Sequence, residues 1–145
     1  MSVTNVVSAG GVVYRYQDGQ LEILLCGRSK PSVWALPKGG PDGNETLAET
    51  ALREVQEETG LVVRIIADLT PITYWFSNEK THYHKTVFFF LMTPEGGSID
   101  DHDQEFDIVH WYPSQQACDI TTYPNEKTVI LTAIGMLDTS TGTKK

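Results

Sequence analysis

GGPDGNETLAETALREVQEETGL, running from Gly39 to Leu61, is the stretch on which the reading of this chain turns. Residues 45–59 have helical spacing, and Gly60 supplies the stop. At about 100° per residue, Leu47, Ala48, Ala51, Leu52, Val55 and Thr59 form one stripe, expected to bury against a sheet. Glu54, Glu57 and Glu58 stand at i, i+3 and i+4, so they share a second face beside that stripe. Like charges so placed repel by roughly a few tenths of a kcal/mol per pair, and more when half-buried. Their position near the helix C-terminus also opposes the macrodipole. Arg53, four residues after Glu49, can neutralise part of this charge. A divalent cation is the stronger candidate, and hard oxygen donors suit Mg²⁺ or Mn²⁺. The competing reading is an ordinary solvated acidic face.

Working outward, residues 6–16 and 21–26 are β-rich and flank Asp18-Gly19, a hairpin turn signal. Gly10-Gly11 interrupts the first of them, which implies a bulge or a close backbone approach. Residues 31–44, with three prolines and three glycines, read as a loop. Beyond the helix, residues 61–76 are β-rich and broken at Pro71. Residues 85–92 form the strongest strand, expected to end at Pro94. A short strand over 107–112 and a helical turn from Pro113 to Cys118 follow. Helical spacing over 126–137 points to a closing helix on the sheet. The order of strands, helix, strands, helix favours an α/β fold with a mixed sheet and helices on both faces. Residues 1–138 are expected to form one domain and 139–145 a flexible tail.

The chain has 145 residues, 40% of them apolar, which suits a globular domain with its own core. Its net charge of −8 disfavours a duplex nucleic-acid partner, because phosphate backbones need a basic surface. Cys26 and Cys118 read as two reduced thiols. The longest apolar run is far short of a membrane helix, and no basic leader precedes it. A soluble, cytoplasmic protein without a membrane partner is the expectation.

Glycine, five residues, glutamate, seven residues, Arg-Glu-aliphatic, one residue, Glu-Glu, one residue and Gly-aliphatic is the pattern met by Gly39, Glu45, Arg53-Glu54-Val55, Glu57-Glu58 and Gly60-Leu61. It resembles the Nudix hydrolase signature at every position. The resemblance implies an α/β/α sandwich and hydrolysis of a diphosphate linked to another group, by metal-activated water attacking phosphorus. It also implies that Glu54, Glu57 and Glu58 bind the Mg²⁺ (or Mn²⁺), joined by the backbone carbonyl of Gly39. Arg53 would orient the glutamates, and Glu45 would support the loop or a metal-bound water. Glu58 is the preferred acceptor of the water proton. Members of the family are often dimers, so a homodimer is possible, although no interface signature stands out.

The flanks bear on substrate. Pro37-Lys38-Gly39 resembles the diadenosine polyphosphate hydrolases of that family, with Lys38 as a phosphate contact. Lys85, ahead of Thr86-Val87, resembles their second phosphate-contacting lysine, and Tyr123 their adenine- or phosphate-contacting tyrosine. Tyr74, Tyr83 and Tyr123 can stack on a base or bind phosphate through the hydroxyl; plain packing is the alternative for each. Trp34 reads as core. His82 and His84 share a strand face but lack a third metal ligand. On the loop before Trp111, Glu105 matches the family's further metal-binding glutamate, with Asp103 as the fallback. A small nucleotide is thus the expected partner, diadenosine polyphosphates foremost. Nucleoside triphosphates or oxidised nucleotides are the alternative, and a non-catalytic nucleotide-binding module is the remote one.

Overall fold

A computed structural model describes residues 2–142. Its eight strands are β1 (Ser2–Gln17), β2 (Gln20–Ser29), β3 (Ser32–Ala35), β4 (Lys38–Gly39), β5 (Leu61–Asp68), β6 (Ile72–Ser77), β7 (Thr81–Gly97) and β8 (Ile108–Pro113). The helices are α1 (Leu47–Thr59), α2 (Ser114–Ile120) and α3 (Pro124–Gly142). The central order is β3-β2-β1-β7-β5, with β4 on β1, β6 on β7 and β8 on β2. Only β1 and β7 run parallel among these pairs, so the sheet is mixed.

Side-chain alternation along the strands divides the interior into two cores. Val12, Ile23, Leu25, Val87, Phe89 and Leu91 face Val129, Ile130, Ala133 and Leu137 of α3. Ala9, Val13, Leu24, Cys26 and Met92 face Ala51 and Val55 of α1. Helices therefore cover both faces, as expected. The stripe on α1 is buried at Ala51, Val55 and Thr59. Cys26 and Cys118 are buried free thiols belonging to different cores. Among the described residues, no helix is long and apolar enough to cross a membrane.

Asp18 and Gly19, both at positive φ, close the β1–β2 hairpin at the predicted place. Gly10-Gly11 marks a close approach rather than a bulge. The β1–β7 register runs unbroken through both residues, and a Cβ on Gly10 would collide with the Pro37 carbonyl.

Several boundaries differ from expectation. The supposed loop over 31–44 contains β3 and β4, because Ser32–Ala35 pairs with β2 and Gly39 with Ala9. Pro94 does not end β7, which continues to Gly97. It pairs with Val63 beside a register shift, a position where a strand proline is tolerated. Helix α3 reaches Gly142, so residues 139–142, read as tail, are helical, while 143–145 lie outside the described residues.

Candidate active site

Helix α1 begins two residues later than its pattern suggested, and the reason is local. Thr46 is the N-cap and forms a reciprocal capping box with Glu49. The Thr46 amide donates to Glu49 Oε1 at 2.8 Å, so Glu49 serves the cap and not Arg53. Glu45, left outside the helix, takes that partner instead. Arg53 Nε donates to Glu45 Oε2 at 2.6 Å, and Nη2 to Glu45 Oε1 at 3.0 Å and to the Gly40 carbonyl at 2.8 Å. The Glu45 carboxylate also accepts from the Asp42 amide and the Thr50 hydroxyl. It thus ties the loop to the helix, the first of the two roles the resemblance left open. Hydrogen bonds from Arg53, then from the Asp42 amide, hold its pKa down at about 2. At the far end Gly60 caps the helix with φ 80°, a conformation costly for any residue with a Cβ.

Arg53 also reaches the acidic face. Its Nη1 lies 3.2 Å from Glu54 Oε2 and 3.2 Å from Glu57 Oε1. Glu57 is about half exposed, Glu54 is largely covered, and Glu58 is 3% exposed. Gly39 lies directly against the Glu54 carboxylate, which a Cβ there would push aside. The Lys38 amide donates to Glu58 Oε1 at 3.3 Å. Burial first, and then the charge of Glu105, push the Glu58 carboxyl up to about 8. Glu54 is raised by burial first, and then by the charges of Glu57 and Glu105, against the pull of Arg53.

The loop carrying Glu105 is fastened at both ends. The Asp103 amide donates to the Glu57 carbonyl at 2.9 Å, and Arg28 Nε to the Glu105 carbonyl at 3.1 Å. Ser29 holds Asp107 through its hydroxyl at 2.8 Å. Glu105 thus exerts its charge on Glu54 and Glu58, while Asp103 sits on a shallow surface beside Arg53 and Glu57.

Among the described residues, no three His, Cys, Asp or Glu side chains already converge on one cation position. Arg53 lies between Glu54 and Glu57 and occupies their oxygens. The donor chemistry nonetheless fits a hard cation. The available ligands are carboxylates and a main-chain carbonyl, and Glu58 is a buried carboxyl surrounded by like charge.

Across the sheet, on the α3 side, lies a cavity of about 460 Å³ lined by Lys38, Ile72, Tyr74, Tyr123, Pro124, Asn125 and Glu126. Three of the five expected substrate residues, Lys38, Tyr74 and Tyr123, therefore come together. Lys85 and Tyr83 do not line it. Lys85 is the cross-strand neighbour of Tyr74, and Tyr83 stacks on Phe76 with ring centroids 4.7 Å apart. Lys38 is not a free cation, since its Nζ lies 2.8 Å from Glu126 Oε2. Burial disfavours its charge, but the Glu126 carboxylate outweighs this and raises its pKa. Trp34 packs against the α3-side core, as expected. The two histidines have other partners, Ser77 for His82 and the Trp75 ring for His84. Glu126 is the residue that the sequence pattern did not single out; there it only opened a helical spacing.

Residues 4–133 match the family model of the NUDIX domain. The chain belongs to the Nudix family. Its relatives include a putative mutator protein MutT4 of Mycobacterium tuberculosis, 34% identical over 144 residues, covering 95% of this chain and 58% of that protein. An 8-oxo-(d)GTP phosphatase of Mycolicibacterium smegmatis is 31% identical over 110 residues, covering 76% of this chain and 33% of the relative. This chain thus spans little more than half, and one third, of these two relatives. Among solved structures, a Caenorhabditis elegans Ap4A hydrolase superposes with a TM-score of 0.71 at 26% identity, covering 92% of this chain and 99% of that one. The α/β/α arrangement is that of the Nudix fold.

Proposed function

We propose that this Nudix protein is a Mg²⁺- or Mn²⁺-dependent hydrolase of nucleoside diphosphate-linked substrates, with dinucleoside polyphosphates such as diadenosine polyphosphates as the favoured class. The observation that carries this reading is the position of Lys38-Gly39. Its main chain touches Glu58 and Glu54, while the Lys38 side chain lines the aromatic cavity. A polyphosphate chain crossing these two residues would have a base on one side and the carboxylates on the other.

Gly39, Glu54, Glu57, Glu58 and Glu105 would hold the cation. The chemistry a bound Mg²⁺ supplies is positive charge against the phosphate oxygens and acidified water. Arg53 keeps Glu54 and Glu57 oriented through Nη1 and is itself locked by Glu45. Glu58 accepts the proton of the attacking water on the carboxylate oxygen that the Lys38 amide does not engage, which makes it the general base. Lys38, whose ammonium keeps N–H groups beyond its pair with Glu126, donates to phosphate, and Lys85, further out, counters its charge. Tyr74 and Tyr123 stack on the base, while Tyr83 extends the same aromatic row. No covalent nucleophile is required, since phosphoryl transfer needs mainly positioning and charge stabilisation.

A second reading, hydrolysis of oxidised or ordinary nucleoside triphosphates, is favoured by the 8-oxo-(d)GTP phosphatase and mutator names among the relatives. Product chromatography with Mg²⁺ separates the two. The panel is diadenosine tetra-, penta- and hexaphosphate, dGTP, 8-oxo-dGTP and ADP-ribose. ATP-containing products from the dinucleotides, with little attack on dGTP or 8-oxo-dGTP, support the first reading. Preferential release of pyrophosphate from the triphosphates would replace it with the second.

A further inference from the structure

The first turn of α3 and the chain just ahead of it are fastened to segment 36–39 and its approach by a regular set of bonds. The Trp34 amide donates to Thr122 Oγ1 at 2.8 Å, and the Thr122 amide returns a bond to the Trp34 carbonyl at 2.9 Å. Two residues on, the Leu36 amide donates to Glu126 Oε1 at 2.8 Å. Two further on, Lys38 Nζ meets Glu126 Oε2 at 2.8 Å. Neutral groups suffice for the first of these attachments. The last two use a carboxylate that is 3% exposed, and burying a charge is costly unless it is paired. Beyond Lys38 the same segment meets the other face of the sheet, where its amide holds Glu58 and Gly39 abuts Glu54.

We propose that Glu126 is a positioning residue for the carboxylate site: from the opposite face of the sheet it fixes segment 36–39, against which Glu58 and Glu54 are set. The inference rests on the metal-site reading above and adds a residue that touches none of the proposed ligands' side chains. Both carboxylate oxygens are used, one on the main chain and one on the lysine, so the segment is held at two points only two residues apart. Releasing either point lets the Lys38 amide and Gly39 drift from the glutamates. Groups that orient metal ligands typically change metal affinity by about 10- to 100-fold when lost.

The test is Mn²⁺ titration by calorimetry on the full chain without nucleotide, together with thermal melting. E126Q and E126D are expected to weaken Mn²⁺ binding about tenfold or more. V129A, a buried change in the same helix, is expected to lower the melting temperature while leaving Mn²⁺ affinity intact. Equal affinity in wild type and folded E126Q would overturn the positioning role and leave the metal-site reading standing. If loss of affinity in E126Q is matched by V129A, general destabilisation is the cause and the inference fails. Should both Glu126 variants fail to fold, K38M, which removes one of the two attachments, decides by the same comparison. No Mn²⁺ binding by the wild type, with E58Q indistinguishable from it, overturns the site reading and this inference together.

Discussion

The two sides of segment 36–39 handle charge in opposite ways. On the α1 side burial and neighbouring carboxylates raise the pKa of Glu54 and Glu58, and Arg53 is shared among Glu45, Glu54 and Glu57. On the α3 side Lys38 and Glu126 neutralise each other, and the remaining wall is largely aromatic and aliphatic. The acidic side is incomplete without added positive charge, whereas the cavity is already balanced and lacks only something flat to cover Tyr74 and Tyr123. A site assembled in this way asks for a ligand that brings cations to one end and a ring to the other.

That contrast can be broken most forcefully at Glu58. Glu58→Gln should cut kcat by about 10²- to 10⁴-fold, the usual range for loss of a general base, with an unchanged circular dichroism spectrum. Retained turnover would move the base elsewhere. Next in size is the response to cation itself. At roughly 100 times its Kd, Mg²⁺ should stabilise the wild type by about 2.7 kcal/mol, or roughly 5–10 °C in Tm. The same addition should leave Glu58→Gln nearly unmoved; an equal shift in both would mean that the cation binds away from α1. On the other side of the segment, Tyr123→Ala should raise KM by roughly 5- to 100-fold with little change in kcat, the range for one lost base–aromatic stack. A change confined to kcat would remove Tyr123 from the binding surface.

The smallest effect concerns acid. Glu45 has a folded pKa of about 2, against an ordinary 4.5, so its contribution to stability is complete above 4.5 and is lost as pH falls towards 2. Urea unfolding of wild type and Glu45→Gln at pH 7 and pH 3 should show the two converging at the lower pH. A constant gap would assign the stabilisation to packing rather than to charge.

What was legible in the sequence followed from distance along the chain. The acidic helix, the Asp18-Gly19 turn and the stop at Gly60 are each specified within a few residues, and each appears where its pattern put it. The later helix start was also written locally, in the Thr46 and Glu49 capping box and in the apolar stripe that begins at Leu47. The short strands β3 and β4 were not legible, since their partners are β2 and Ala9-Gly10, they are only four and two residues long, and Pro31, Pro37 and Pro41 stand around them. Glu126 was hidden for a stronger reason. Its partners, Leu36 and Lys38, lie about ninety residues earlier, and an exposed helical glutamate would have the same spacing.

The parallel pairing of β1 with β7 has a consequence in time. Ser2 lies opposite Thr81 and Val13 opposite Met92, so every residue along this seam waits for a partner made 79 positions later. At roughly 5–20 residues per second, the first strand leaves the ribosome about 4–16 s before its mate. The β1–β2 hairpin can close in that interval, but the edge of β1 that β7 will cover stays open. Newly made chains are therefore vulnerable to wrong partners along residues 2–13 until β7 arrives on a strand made long before it.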